Sequence, residues 1–197
     1  MLLSIVVWLI VVGFGLSFLW SYENTPGFAA AAPLNWPADS NIQPASDRAT
    51  LVMLVHPQCP CTRASIGELA AIMTHCEGRV NAYVLFMKPE GSSENWEKTD
   101  LWQSAAKIPG VSVISDPNGE EAQRFHAATS GLTLLYDTKG QLLFSGGVTS
   151  SRGHSGDNAG RSAIVSLINR ELPDTTETFV FGCPLFNTNS ECRMPPK

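Results

Sequence analysis

No run of lysine or arginine occurs in the sequence, and thirteen basic residues face eighteen acidic ones, for a net charge of −5. A nucleic-acid backbone therefore has no electrostatic footprint to bind, and no nucleic-acid partner is expected. Cysteine is scarce as well. Five cysteines, at positions 59, 61, 76, 183 and 192, are too few to staple a disulfide scaffold, so an apolar core must hold the fold. Their odd number leaves at least one thiol outside any internal pairing. No internal repeat is visible, and outside residues 56–61 there is no Met-rich or paired Cys/His segment.

A further absence is local: residues 1–20 (MLLSIVVWLIVVGFGLSFLW) carry no charged side chain. Twenty apolar residues make about 30 Å of helix, the thickness of a bilayer core. A cleaved signal peptide competes with this reading, because FAAAAP at 28–33 resembles a small-residue cleavage site. Signals, however, have a basic start and a shorter apolar stretch of about 7–15 residues. An uncleaved single-pass anchor is the favoured expectation, with the soluble part facing the periplasm or cell exterior. The missing basic flank leaves the orientation unread by the positive-inside rule.

Residues 21–48 are rich in Pro, Ala, Asn and Ser and read as a linker, with Trp36 placed to lie against the domain. From 49 to 172 the pattern is that of one α/β domain. TLVMLVH (50–56) reads as a buried strand. Ile66, Leu69, Ala70, Ile72 and Met73 then form a helical stripe ended by Gly78. A second apolar strand covers 80–87, a helix passes through Trp96, Leu101 and Trp102, and GVSVISDPNG (110–119) is a strand and turn. A helix over 121–128 and a hairpin over 132–147, turning at 137–140, come next. The last helix takes Asp157 as its N-cap, uses Ile164, Val165, Leu167 and Ile168, and stops at Pro173. The tail, 173–197, contains the strand-like TFVFGCPLF and is expected to pack on the domain. The order predicts a mixed sheet, parallel first and antiparallel at the end.

The chemistry is concentrated in VHPQCPCTRAS (55–65), where Cys59 and Cys61 flank Pro60 at a strand-to-helix turn. Unpaired N–H groups and the positive end of a helix dipole stabilise a thiolate there. Protonated His56 and Arg63 would add positive potential. A Cys59–Cys61 disulfide closes a very small ring, and its strain makes it labile. Three readings stand side by side: a redox pair, buried packing thiols, and a Cu(I) or Zn(II) clamp made of His56, Cys59 and Cys61, with Cys183 as a further ligand. Cys183 is also an alternative resolving thiol, unless it pairs with Cys192. Cys76 is expected in the core, and His75 at the surface or capping its helix. His126 is expected on the terminal carbonyls of its own helix, and Trp96 and Trp102 serve as packing anchors. In the loop TSSRGHSGDNAGR (149–161), Arg152, His154 and Arg161 are candidates for presenting charge to the cysteines; an ordinary flexible loop is the alternative.

Cysteines at the turn between first strand and first helix, with a late hairpin GLTLLYDTKGQLLFSGG, resemble the thioredoxin-like fold over about residues 49–171. More narrowly, HPQCPCTRAS, SRGHSGDNAGR and VFGCPL look like the small membrane-anchored bacterial proteins called RedB-like. The resemblance implies a three-layer α/β/α domain and thiol–disulfide exchange with a protein or small-thiol substrate, without a cofactor. The copper alternative resembles the thioredoxin-fold copper chaperones and assembly factors. Two departures stand out. The family's Cys-x-x-Cys is Cys-Pro-Cys here, so either Cys61 takes the second cysteine's place, or Cys59 takes the first with Thr62 in the second, a register that also admits a peroxidase-like variant. The family's cis-proline before the hairpin strand is replaced by Leu132, followed by Thr133, which makes these two the candidate substrate-docking residues.

Overall fold

The computed structural model describes residues 2–186. The first element, α1 (Leu2–Asn24), has 23 residues, about 35 Å of helix, and buries none of them. It is long and apolar enough to cross a membrane, a test that an N-terminal signal sequence also passes.

The domain begins with β1 (Ala49–Val55) and continues through α2 (Pro60–His75), β2 (Val80–Lys88), α3 (Asp100–Ala106) and β3 (Val111–Pro117). It ends with α4 (Glu120–Arg124), β4 (Leu132–Tyr136), β5 (Leu142–Gly146) and α5 (Ala159–Ile168). The five strands lie in the order β3-β2-β1-β4-β5. β1, β2 and β3 run parallel, while β4 is antiparallel to β1 and β5 antiparallel to β4. β1 is thus central, pairing Met53 with Val84 on one side and Thr133 on the other. Its apolar run has to serve two cores, since alternate side chains leave a strand on opposite faces. Leu51, Met53 and Val55 pack with Ile66, Leu69 and Ile72 of α2, Leu101 of α3 and Ile164 of α5. Val52 and Leu54 join Phe125, Leu134 and Tyr136 on the other face.

That second face has a single five-residue helix, α4, and a short cover of this kind cannot close a sheet alone. Asp116 caps α4, its carboxylate accepting the N–H groups of Glu121 (2.8 Å) and Ala122 (3.0 Å). Extended chain completes the layer. Residues 25–48, expected as a linker, run along the domain as a strap. Trp36 sits edge-on to Phe125 and Tyr136, each at 5.2 Å. Leu34 accepts from Leu142 N–H, and Ser40 and Asn41 donate to the buried Glu121 carboxylate. Val180 and Leu185 of the tail are buried in the same core.

Three local expectations are corrected. Asn158, not Asp157, caps α5, its side chain accepting Arg161 N–H at 2.8 Å, while Asp157 is an exposed partner of the Arg161 guanidinium. His126 has φ +54 and turns its Nδ1 to the strap carbonyl of Ala31, 2.8 Å away, rather than to its own helix end. Trp96 precedes α3 instead of lying in it, because Thr99 is the N-cap.

Candidate thiol site

The sheet and α2 build the site together. β1 ends at Val55, and two tight bonds, Cys59 N–H to His56 O and Thr62 N–H to Cys59 O (both 3.1 Å), fold the chain into α2. Cys59 is the N-cap in extended conformation (φ −82, ψ 121), with Pro60 at the first turn, where its missing N–H costs nothing. Cys59 therefore lies where helix N–H groups are unsatisfied. The tail adds to them. Thr129 bridges to Pro184, Ser130 N–H bonds Cys183 O at 2.8 Å, and Cys183 N–H reaches the Cys59 sulfur at 3.4 Å.

Three sulfurs meet here. The thiols of Cys183 and Cys61 both hydrogen-bond the Cys59 sulfur, as do the backbone N–H groups of the same two residues. The Cys183 thiol contributes most, and together these donors outweigh burial and hold Cys59 far below the ordinary thiol range. Cys61 moves the opposite way: its bond to the Cys59 sulfur, its burial and the Cys59 charge keep its proton on. The surroundings thus favour the thiolate at Cys59 over the thiolate at Cys61. Cys59 is only 1% exposed and Cys61 8%, so access to the thiolate runs through a cleft of about 390 Å³. Gln58, Pro60, Arg63, Thr99 and Asp100 line it beside Cys59.

His56 is not the cation the sequence suggested. Burial lowers its pKa despite the Cys59 charge, its Nδ1 accepts Gln58 N–H at 3.2 Å, and its ring stands edge-on to Trp96. Arg63 is likewise unavailable to the sulfurs, because it pairs with Asp100 at the surface. The Thr62 hydroxyl turns away from the thiols and donates to His56 O at 3.2 Å. It also meets Ser130 Oγ at 2.9 Å, and Ser130 in turn accepts His56 N–H at 2.8 Å. Sequence reasoning missed Ser130, which ties the end of β1, the start of α2 and the tail at one point. Its signal was present in TSG, directly before the hairpin strand.

Leu132 and Thr133 do not front the cysteines. Both are buried in β4, Thr133 completely, and the described residues contain no cis peptide bond. The loop ending in Ser130 and Gly131 takes the place opposite Cys59, with Gly131 (φ +93) N–H bonded to Leu54 O and its Cα so near Ser65 that a Cβ would lie 3.0 Å from that hydroxyl.

The 149–161 loop divides its three candidates. Arg152 donates to Gly182 O at 2.7 Å, and its positive charge acts to lower the Cys61 pKa. His154 is exposed and contacts only Arg152 O. Arg161 holds the loop instead: it bonds the buried Glu68 carboxylate of α2 at 2.6 Å, which also accepts from Gly156 N–H and Asn158 Nδ2. Cys76 is buried in the core at the end of α2, its thiol pushed up by burial. Cys192, the possible partner of Cys183, lies outside the described residues. Among the described residues, no three His, Cys, Asp or Glu side chains are arranged to hold a metal ion.

No family profile and no curated protein matches the chain. Solved structures do. A hypothetical protein of Sinorhizobium meliloti 1021 is 18% identical, with a TM-score of 0.60 over 79% of this chain and 95% of its own. An uncharacterized conserved protein of Geobacillus kaustophilus is 19% identical, with a TM-score of 0.59 over 85% and 96%. An exposed lipoprotein thioredoxin of Streptococcus pneumoniae TIGR4 is 13% identical, with a TM-score of 0.46 over 64% and 86%. At such identities the likeness is one of fold. A mixed five-stranded sheet with its first strand central, its first helix starting at the cysteines and an antiparallel hairpin at its end makes this a thioredoxin-like fold.

Proposed function

We propose that this protein is a thiol–disulfide oxidoreductase, held at the membrane by α1 with its domain outside the cytoplasm, of the kind the RedB-like resemblance implies. One observation carries the reading: the Cys59 sulfur sits at the N-terminus of α2 and accepts Cys183 N–H at 3.4 Å, and the neighbouring Cys183 and Cys61 lower its pKa. Such surroundings favour the thiolate, the form that attacks disulfides. Cys59 attacks a substrate disulfide and forms a mixed disulfide, and one substrate thiolate leaves. A second protein thiol then loses its proton and attacks the Cys59 sulfur. The other substrate thiolate departs, an internal disulfide remains, and two electrons have passed to the substrate. Cys61 and Cys183 both lie within hydrogen-bond reach for that second step.

Intact mass of the full chain, as purified and after reduction, together with insulin reduction driven by dithiothreitol, tests the reading. The expected result is a change of two hydrogens and activity that Cys59→Ser abolishes but Cys76→Ser retains. Bound copper, no such mass change and no insulin reduction would replace it with metal handling. Peroxide turnover that depends on Cys59 without disulfide reduction would place the thiolate in a peroxidase.

A further inference from the structure

Backbone contacts converge on residues 182–185 of the tail. The Arg152 guanidinium donates to Gly182 O at 2.7 Å, Ser130 N–H to Cys183 O at 2.8 Å, and Leu185 N–H to Ala128 O at 2.9 Å. The Cys183 N–H is spent on the Cys59 sulfur, 3.4 Å away. Thr129 and Pro184 form an antiparallel bridge, so this part of the tail lies extended along the 128–130 loop. Val180 and Leu185, on either side of Cys183, are buried in the core. Gly182 permits the approach, because a Cβ there would fall 1.9 Å from Ser130 O. Covering a sheet face asks only for apolar side chains. Here the backbone itself is pinned, and the residue it pins beside the nucleophile is a cysteine.

We infer that Cys183 is the thiol that resolves the mixed disulfide on Cys59, so that the redox-active disulfide joins the start of α2 to the tail. The inference deepens the thiol–disulfide reading and rests on it. Two closures compete. A Cys59–Cys61 bond would make a ring through Pro60, whose φ is already locked. Its backbone is tied as well, by Cys59 N–H to His56 O and Thr62 N–H to Cys59 O, each at 3.1 Å. Cys59 is extended while Pro60 opens the helix, and so short a ring cannot relax without loosening the first turn of α2. Cys183 meets no such constraint. It comes from a separate segment with its backbone already against the Cys59 sulfur, and only its own side chain has to turn. The fold thus presents it at high effective concentration. Once the Cys59 thiolate has displaced one substrate thiolate, the Cys183 thiol gives its proton to solvent and attacks the Cys59 sulfur. The Cys59–substrate bond breaks, the Cys59–Cys183 bond forms, and the second substrate thiolate departs. Two protein thiols are oxidised and one substrate disulfide is reduced.

Peptide mapping tests the inference on the full chain. Trypsin cuts after Arg48, Arg63, Arg170 and Arg193, which leaves Cys59 and Cys61 on one peptide and Cys183 and Cys192 on another. The reduced protein in detergent is oxidised with a single equivalent of Ellman's reagent and quenched in acid. Free thiols are blocked with N-ethylmaleimide before digestion and mass spectrometry. The expected product links residues 49–63 to residues 171–193. The link should persist in Cys61→Ser and in Cys192→Ser, and be lost in Cys59→Ser and in Cys183→Ser. A bond within 49–63, or one within 171–193, as the main product of the parent chain overturns the inference. So does a link between the two peptides that survives Cys59→Ser. Insulin reduction, measured alongside, separates the two levels. A parent chain that reduces insulin but closes its disulfide within 49–63 loses this inference alone, whereas one that leaves insulin intact loses the thiol–disulfide reading and the inference with it.

Discussion

The Cys59 charge should be measurable as stability, independently of any substrate. Cys59 is fully enclosed, and the Cys183 thiol first, then the Cys61 thiol and two N–H groups, hold its pKa below the ordinary range. An acid of this kind gives up its proton on folding. Its contribution is complete above the unfolded thiol pKa of about 8.5 and is lost as pH falls toward the folded value, at about 1.4 kcal/mol per pH unit. Between pH 6 and pH 8 the reduced protein should gain stability relative to Cys59→Ser, up to a ceiling of about 2.5 kcal/mol set by the unfolded thiol, which begins to ionise at pH 8. Cys61 hardly enters below pH 8, since its raised pKa leaves it protonated both folded and unfolded. Urea unfolding of the full chain in detergent, with excess reductant, reads the effect as a shift of up to about 1 M in the midpoint difference between the two proteins. If the gap between them is the same at pH 6 and pH 8, Cys59 is an ordinary thiol and the donor argument fails.

Two further outcomes follow from the packing. Glu68→Ala leaves Gly156 N–H without its acceptor and the Arg161 guanidinium and Asn158 amide with only Asp157 and Gly156 O, and should cost about 2–3 kcal/mol, about 5–10 °C of melting temperature by calorimetry. A melting point within a degree of the parent would show that the loop is held some other way. Gly182→Ala places a methyl 1.9 Å from Ser130 O, so the tail must lift and withdraw Cys183 from Cys59. The alkylation midpoint of Cys59 should rise toward the ordinary thiol value, with about 1–3 kcal/mol of destabilisation. An unshifted midpoint would contradict the role given to the tail.

The frame of the fold was legible because its signals are local. The two apolar runs of β1 and β2, the stripe from Ile66 to Met73 and the turn at 137–140 all carry their own periodicity or turn chemistry. Asp137 even accepts the N–H groups of Lys139 and Gln141, as its position in the turn predicts. The strap was harder to read, because Pro- and Ala-rich composition hides how well Trp36 and Ile42 fit a sheet face left open by α4. At the site, Cys59 and Cys61 were singled out and Cys183 was left open between this site and Cys192, while the charges around them were not read correctly. Neutral His56 depends on burial, and the loss of Arg63 to Asp100 depends on a contact 37 residues away, neither of which a linear pattern displays. Ser130 escaped for the same reason, meeting His56 across 74 residues.

The bond from Cys183 to Cys59 spans 124 positions of the chain. Its donor therefore leaves the ribosome after the strands and helices that flank Cys59 have been made. Before the tail docks, Cys59 lacks its Cys183 donors and is a less acidic sulfur, which slows its attack on disulfides during synthesis. Reactivity is thereby tied to completion: a protein cut short before the tail would keep most of its sheet and lose much of its nucleophile.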